Sequence, residues 1–228
     1  GKLQYFDYSA WQRNELAGER RERLLGHWRN KFTPAFTKFC LKYDFIPGEN
    51  SKASARLSWS APPKLLSQVR ETARRNGHTL FSVMLTALGL AARKMSGGME
   101  NLYFLTSFSG RTSPELTDMI GYLNNTLPLC LQLPDAIKLS DALSYASSEV
   151  SQAIEFQDLP VFMLLQALDA KPKGTIFLTY IPRGARNCPQ VPGIDIIDIG
   201  LGDHAASISH DLCVSISEND EDLTVLFL

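Results

Sequence analysis

The sequence predicts an α/β fold in which helices pack against a mixed β-sheet. Segments that alternate apolar and polar residues occur in the middle and at the end of the chain, and segments with helical spacing lie between them. Glycine or proline separates most of these segments, as expected at turns. The order strand, helix, helix, strand, strand, helix, helix and several further strands is typical of such a layered fold. At 228 residues and 44% hydrophobic residues, the chain can bury a sizeable core.

The N-terminal part predicts a helix, a strand and two more helices. Residues 5–30 have the spacing of one long amphipathic helix, and Asp7 is placed to be its N-cap. Residues 53–60 alternate like a strand, and two segments with helical spacing follow. The Asn-Gly pair at residues 76–77 predicts the end of the first helix, and Thr79 predicts the N-cap of the second. The second is apolar around most of its circumference, so we expect it to be the more deeply buried.

The rest of the chain predicts strands around a further pair of helices. Ser140 predicts the N-cap of the first helix, residues 156–160 interrupt it, and Pro160 begins the second. Residues 39–46, nearer the start, fit either a strand or an extended crossing segment. Strand-like runs lie at residues 101–109, 127–133, 175–181, 194–199, 207–217 and 223–228.

Composition excludes several classes of partner. With 23 basic and 24 acidic residues, the net charge of -1 predicts neither nucleic-acid nor anionic-membrane binding. No apolar run approaches the roughly 18 to 20 residues that cross a bilayer, and the first residues do not resemble a signal peptide. These features predict a cytoplasmic protein. The four cysteines are scattered without a C-x-x-C pair, which predicts reduced, packed thiols and no metal site.

Aromatic residues crowd the start of the first predicted helix. Tyr5, Phe6, Tyr8 and Trp11 lie close together in the sequence, and such a cluster normally packs against something. Two interpretations stay open. The cluster docks on this chain's own sheet, or it is an interface for a second body.

A long loop between the predicted strands at residues 101–109 and 127–133 is the leading candidate for function. A loop of that length inside a compact domain is usually functional or disordered. Its tyrosine, leucine and isoleucine residues argue against disorder. The loop carries Arg111 and ends in IGYLNNT at residues 120–126.

Three segments of the chain resemble motifs of one family, the condensation domains of nonribosomal peptide synthetases. YFDYSAW at residues 5–11, the first motif, resembles their Tyr-x-Asp-Phe/Tyr-Ala-x-Trp segment. Residues 109–129, the second motif, contain SGRTSPEL and IGYLNNTLPL and resemble their Gly-Arg-Thr and Ile-Gly-x-Phe-x-Asn-Thr segments. FQDLPVF at residues 156–162, the third motif, resembles their His/Asn-Gln-Asp-x-Pro-Phe segment. The matches follow the family order and extend over nearly the whole chain.

The resemblance implies a fold and an activity. Condensation domains have two lobes, each like a chloramphenicol acetyltransferase subunit, with the active site in a tunnel between them. Carrier proteins bring donor and acceptor on phosphopantetheine arms. A histidine in a His-His-x-x-x-Asp-Gly motif of the first lobe then serves amide formation in antibiotic or siderophore biosynthesis.

The chain has no adjacent histidines, so that motif is absent from it. The resemblance therefore predicts that residues 1–228 form a single C-terminal lobe, whose partners are the N-terminal lobe and carrier proteins. We expect no catalytic residue in it and no activity from it alone.

The resemblance also assigns roles to individual residues. It implies substrate-tunnel or pantetheine contacts for four of them, Ser109, Arg111, Tyr122 and Asn125. For Arg111 and Asn125, hydrogen bonds that fix the loop are an equally good interpretation. Structural roles, as helix caps or core, are expected for four other motif residues, Asp7, Trp11, Gln157 and Asp158.

Two departures from the family pattern keep other functions open. Phe156 stands where relatives have histidine or asparagine, and an expected Arg-Asp-x-Ser-Arg-x-Pro-Leu segment near residues 168–176 is missing. One alternative is a non-catalytic condensation-like domain that recruits carrier proteins or tailoring enzymes. Another is a stand-alone acyl-CoA acetyltransferase-like trimer with His204 or His210 as its base.

Overall fold

The computed structural model describes residues 3–32, 38–42, 55–168, 174–185, 193, 210–219 and 222–228. Within these ranges, helices and strands alternate as an α/β fold, as predicted. The helices are α1 (Tyr5–Glu15), α2 (Glu19–Lys31), α3 (Pro63–Arg75), α4 (Leu80–Met95), α5 (Pro114–Thr117), α6 (Leu139–Glu155) and α7 (Val161–Ala167). The strands are β1 (Leu57–Ala61), β2 (Asn101–Phe108), β3 (Asn125–Gln132), β4 (Ile176–Ile181), β5 (Leu212–Glu218) and β6 (Leu223–Phe227).

The described strands form one mixed sheet in the order β1-β6-β5-β4-β2-β3. β4 pairs in parallel with both β2 and β5, and the remaining pairs are antiparallel. The predicted mixed sheet is thus confirmed. β3 lies at one edge, where α6 and α7 contact it.

The core forms where α4 and α6 pack on each other and on β2 and β3. Gly89 of α4 allows this close approach, because a Cβ there would lie 3.0 Å from the Cδ1 atoms of Leu131 and Leu133. Five residues of α4 are buried, compared with two of α3. The apolar circumference of α4 predicts this difference. Its N-cap is Thr79, whose hydroxyl accepts from the amide of Ser82, also as predicted.

The helix predicted over residues 5–30 is in fact two helices. α1 has no buried residue, whereas Leu16, just after it, is buried in the main core. The chain turns at residues 16–18 because that apolar side chain is drawn inward, and Gly18 becomes the N-cap of α2. Asp7 is not the N-cap of α1 either. It lies in the first turn, where its Oδ2 accepts from the amide of Gln4, the N-cap residue.

Other predicted boundaries shift by a few residues. The N-cap of α6 is Lys138 rather than Ser140. α5 interrupts the predicted long loop. Residues 38–42 contain no strand, and residues 43–46, 194–199 and 207–209 lie outside the described ranges. In the part of the chain that the structure describes, no helix is both long and apolar enough to span a bilayer.

Candidate functional site

The three motifs, far apart in the sequence, meet around one cleft of about 160 Å³. α1 supplies one wall, the segment that leads into β3 supplies the second, and the start of α7 supplies the third. The lining comprises Tyr5, Tyr8 and Gln12 on the first wall, Gly110 and residues 122–126 on the second, and Gln157, Asp158 and residues 160–162 on the third. This convergence makes the cleft the candidate site.

The first and second motifs pack directly on each other. The ring of Tyr5 lies against Gly121. A Cβ added to Gly121 would be only 2.4 Å from Cδ2 of Tyr5. Tyr8 packs on a small separate core of Leu116, Met119 and Leu123. The α1 wall of the cleft is therefore held by the second motif, because α1 buries nothing in the main core.

Asn125 ties the second motif to the third. Its Nδ2 donates to the carbonyl oxygens of Gln157 and Leu159, both at 2.7 Å, and its Oδ1 accepts from the amide of Val161 at 3.0 Å. The side chain at the start of β3 thus fixes the start of α7. Both amide hydrogens are used within the chain, so the contacts favour the loop-fixing interpretation and leave one lone pair of Oδ1 for a ligand.

The expected helix-capping role of Gln157 and Asp158 is wrong. Gln157 Nε2 donates to the carbonyl oxygen of Ile154 at the end of α6, and Asp158 pairs with Arg20. The first amide of α7 is satisfied instead by Asn125, which is closer in space although distant in sequence.

We expect Asn125→Asp to lower the free energy of unfolding by about 2 kcal/mol at pH 7. The substitution removes two hydrogen bonds and places a carboxylate oxygen against two carbonyl oxygens. Urea unfolding measures the loss. The matched control is Asn124→Asp at the exposed neighbouring position, which should change stability by less than about 0.5 kcal/mol. Equal losses in the two variants would contradict the assigned role of Asn125.

Arg20 of α2 links the first and third motifs. Its guanidinium pairs with Asp158 and with Glu15, the latter at 2.7 Å, and lies 5.8 Å from the centre of the Trp11 ring. Tyr8 lies beside this cluster, and burial together with the charge of Asp158 raises the pKa of its phenol. The family motifs did not predict a role for Arg20. This residue lies in the charged segment at residues 19–23, which is typical of a solvent-facing helix surface.

The other residues predicted for the tunnel lie at different places. Tyr122 lines the cleft and is 76% exposed. Arg111 is exposed and its Nη1 donates to the carbonyl oxygen of Leu116 at 2.9 Å, which fixes the loop. The hydroxyl of Ser109 accepts from the amide of Arg111 at 3.4 Å. Ser109 and Arg111 are not among the residues that line the cleft.

The described histidines lie away from the cleft lining. His27 stacks on Phe156 with ring centres 3.7 Å apart, and burial lowers the pKa of this imidazole. Phe156, the first residue of the third motif, therefore contributes packing. His210 stacks on Phe177 and has its Nδ1 3.0 Å from the hydroxyl of Thr175. His204 lies outside the described residues.

The aromatic residues of α1 remain largely exposed. The exposed fraction is 39% for Tyr5, 76% for Phe6 and 47% for Trp11, and nearby Ile120 is 95% exposed. The interpretation that the cluster docks on this chain's own sheet is therefore wrong, and so is the expected core position of Trp11. Phe6, Trp11 and Ile120 thus form an exposed apolar patch beside the cleft.

The cleft offers aromatic walls, side-chain amides and one carboxylate. Among its described lining residues there is no cysteine, lysine or histidine, and no nucleophile hydrogen-bonded to a base. The rings, amides and carboxylate that are present suit binding of a ligand.

The chain is similar to known proteins. The family model described as Condensation domain matches residues 1–178. The chain is 32% identical over 159 residues to phosphinothricin tripeptide synthetase PhsC of Streptomyces viridochromogenes, which covers 69% of this chain and 14% of that protein. The chain thus spans a small part of this curated relative.

Solved structures share the fold. The X-domain in its complex with OxyB from teicoplanin biosynthesis matches with a TM-score of 0.81 at 18% identity, over 99% of this chain and 52% of that chain. The first condensation domain of the CDA synthetase matches with a TM-score of 0.70 at 16% identity, over 99% of this chain and 49% of that chain. This chain therefore spans about half of each solved structure.

Proposed function

This chain belongs to the condensation domain family, and from that premise we propose that it acts as the second, C-terminal lobe of such a domain. In this proposal it supplies a tunnel wall and a carrier docking surface for an amide-forming acyltransferase. The reactive histidine is on the first lobe. Residues 1–228 are then inactive alone.

The meeting of the three family motifs around one open cleft carries this proposal. The aromatic rings, amides and carboxylate of the cleft suit ligand contact, which is the role of a tunnel wall. The match to about half of each solved structure agrees with one of two lobes. The exposed rings of Phe6 and Trp11 supply an apolar face that the first lobe would cover.

We further propose that the phosphopantetheine arm of a carrier protein ends at this cleft. The arm contains amides and a flexible apolar chain, and the aromatic walls with the amides of Gln12 and Gln157 suit both. Tyr122 is placed to contact it, whereas Asn125 has only a lone pair of Oδ1 to offer. Arg111 would contact it only from outside the cleft lining.

A non-catalytic condensation-like domain that recruits carrier proteins or tailoring enzymes is a second candidate. The observation that favours it is the stacking of Phe156 on His27, since relatives place a polar histidine or asparagine at this motif position. A ring that only packs offers no hydrogen bond to a reacting group.

Amide formation between carrier-bound donor and acceptor tests the proposal. The polypeptide extended upstream of Gly1 should contain His-His-x-x-x-Asp-Gly about forty residues before Asp7 and should form the amide, whereas residues 1–228 alone should not. Alanine in place of the second motif histidine should abolish the product. Carrier binding without the motif and without product would support the recruiting domain instead.

Turnover of acyl-CoA by residues 1–228 alone would overturn the lobe proposal. Loss of that turnover in His204→Ala or His210→Ala would then assign the chain as a stand-alone acetyltransferase-like enzyme.

A further inference from the structure

We propose that the cleft between α1 and α7 binds an organic cation, the side-chain ammonium or guanidinium group of a carrier-bound aminoacyl substrate. The inference rests on the proposed function and adds a substrate class to it. The chemistry of the cleft walls carries it, in three steps.

Aromatic rings form much of the wall. Tyr5, Tyr8, Tyr122 and Phe162 all line the cleft, and the rings of Tyr5 and Tyr8 lie 6.2 Å apart at an angle of 32°. The face of an aromatic ring carries a negative partial charge that attracts a cation within about 6 Å. Several such rings around a small cleft can together attract an ammonium or guanidinium group.

The charges beside the cleft have the complementary sign. Asp158 lines it, and no described lining residue is lysine, arginine or histidine. Arg20 is shared between Asp158 and Glu15, so these three groups together keep one net negative charge. The charge of Arg20 therefore does not neutralise both carboxylates, and one of them, Asp158, lines the cleft.

Side-chain acceptors are available at the cleft. Gln12 Nε2 donates to the hydroxyl of Tyr8 at 3.2 Å, and Gln157 Nε2 donates to the carbonyl oxygen of Ile154 at 2.8 Å. Each amide keeps its Oε1 as an acceptor, beside a second N–H, and ammonium and guanidinium groups are donors only. At about 160 Å³ the cleft is smaller than the roughly 300 Å³ of drug-sized sites, which suits one side-chain head group.

Matched pairs of small probes test the inference. Residues 1–228 are titrated, with amide chemical shifts as the readout, with Nα-acetyl-L-arginine amide and its neutral isostere Nα-acetyl-L-citrulline amide. Nα-acetyl-L-lysine amide and Nα-acetyl-L-norleucine amide form the second pair. We expect the cationic member of at least one pair to bind about tenfold more tightly, with shifts centred on residues 5–12 and 157–162. The pair that discriminates identifies the head group.

Two variants locate the site. Tyr122→Leu removes an exposed ring with little packing, so the fold should persist while cation affinity falls severalfold. Asp158→Asn should reduce the difference in affinity between the cationic and neutral probes severalfold. The control Asp135→Asn, at an exposed carboxylate that pairs with Arg93, should change neither affinity.

Equal binding within both probe pairs would overturn the inference, and so would a cation preference that Tyr122→Leu leaves unchanged. Amide formation by the extended polypeptide together with equal probe binding would reject the cation site but keep the lobe. A cation preference without amide formation would keep the cation site but reject the proposed function as a lobe of an amide-forming enzyme.

Discussion

Lys31→Met is expected to lower the free energy of unfolding by about 3–5 kcal/mol at neutral pH. Lys31 Nζ lies 2.8 Å from Glu149 Oε1, and the two side chains are only 11% and 6% exposed. Glu149 Oε2 also accepts from the amide of Cys130 at 3.2 Å. Removing the ammonium leaves a buried carboxylate without its counter-ion, which is the costly way to break such a pair.

The loss should depend on pH in a defined direction. Burial raises the pKa of Glu149 in the folded protein, and the hydrogen bond and charge of Lys31 act against that rise. A carboxyl whose folded-state pKa exceeds its unfolded pKa increasingly destabilises the fold as pH rises from the unfolded value to the folded value. Without Lys31 the pKa rises further, so the deficit should be larger at pH 7.5 than at pH 5. Urea unfolding at both pH values measures it.

Two controls isolate the buried charge. Lys31→Met with Glu149→Gln should recover at least half of the loss, because the glutamine keeps an acceptor for Cys130 without the charge. Arg29→Met removes an exposed cation 3.9 Å from Glu22 and should cost less than about 1 kcal/mol. A double variant as unstable as Lys31→Met would show that lost packing, not the charge, is responsible.

Gly110→Ala should lower the free energy of unfolding by about 3 kcal/mol, through backbone strain and a clash. Gly110 has φ of 66°, in the left-handed region, and an added Cβ would lie 1.9 Å from the carbonyl oxygen of Leu123. That contact is with backbone, so a side chain cannot rotate to relieve it. Because Gly110 and Leu123 both line the cleft, its second wall must shift.

Gly77→Ala is the matched control for this substitution. Gly77 has φ of 69° but no atom within 4 Å of an added Cβ. Alanine at this position therefore has the backbone strain without the clash, and the free energy of unfolding should fall by about 1–2 kcal/mol. Thermal or urea unfolding of both variants gives the difference, which should be at least about 1 kcal/mol. Equal losses would show that the approach of Leu123 to Gly110 relaxes freely.

Several features of the site could be predicted from sequence because their signals are local. The three motifs fall where the cleft forms, and Tyr122 of the second motif lines it. Loop-fixing contacts of Arg111 and Asn125 were anticipated as one of two interpretations. The helix stop at residues 76–77 and the cap at Thr79 follow from the conformations that glycine and threonine favour at helix ends.

Other features depend on residues that are distant in sequence. Asn125 serves the start of α7 from 36 positions away, and Arg20 reaches Asp158 from 138 positions away. Amphipathic spacing could not predict the turn at Leu16, since one continuous helix has the same pattern. The exposure of Trp11 depends on which elements pack over α1, and the sequence of α1 does not predict that packing.

The sequence by itself determined the type of most described elements and the three motifs of the family, because side-chain period and end-capping preferences act over a few residues. Only the tertiary structure decided which groups meet at the cleft, which partner caps α7, and which aromatic rings stay exposed. Those outcomes depend on packing and desolvation between elements, since a hydrogen bond or ion pair forms with whichever group the fold brings within reach.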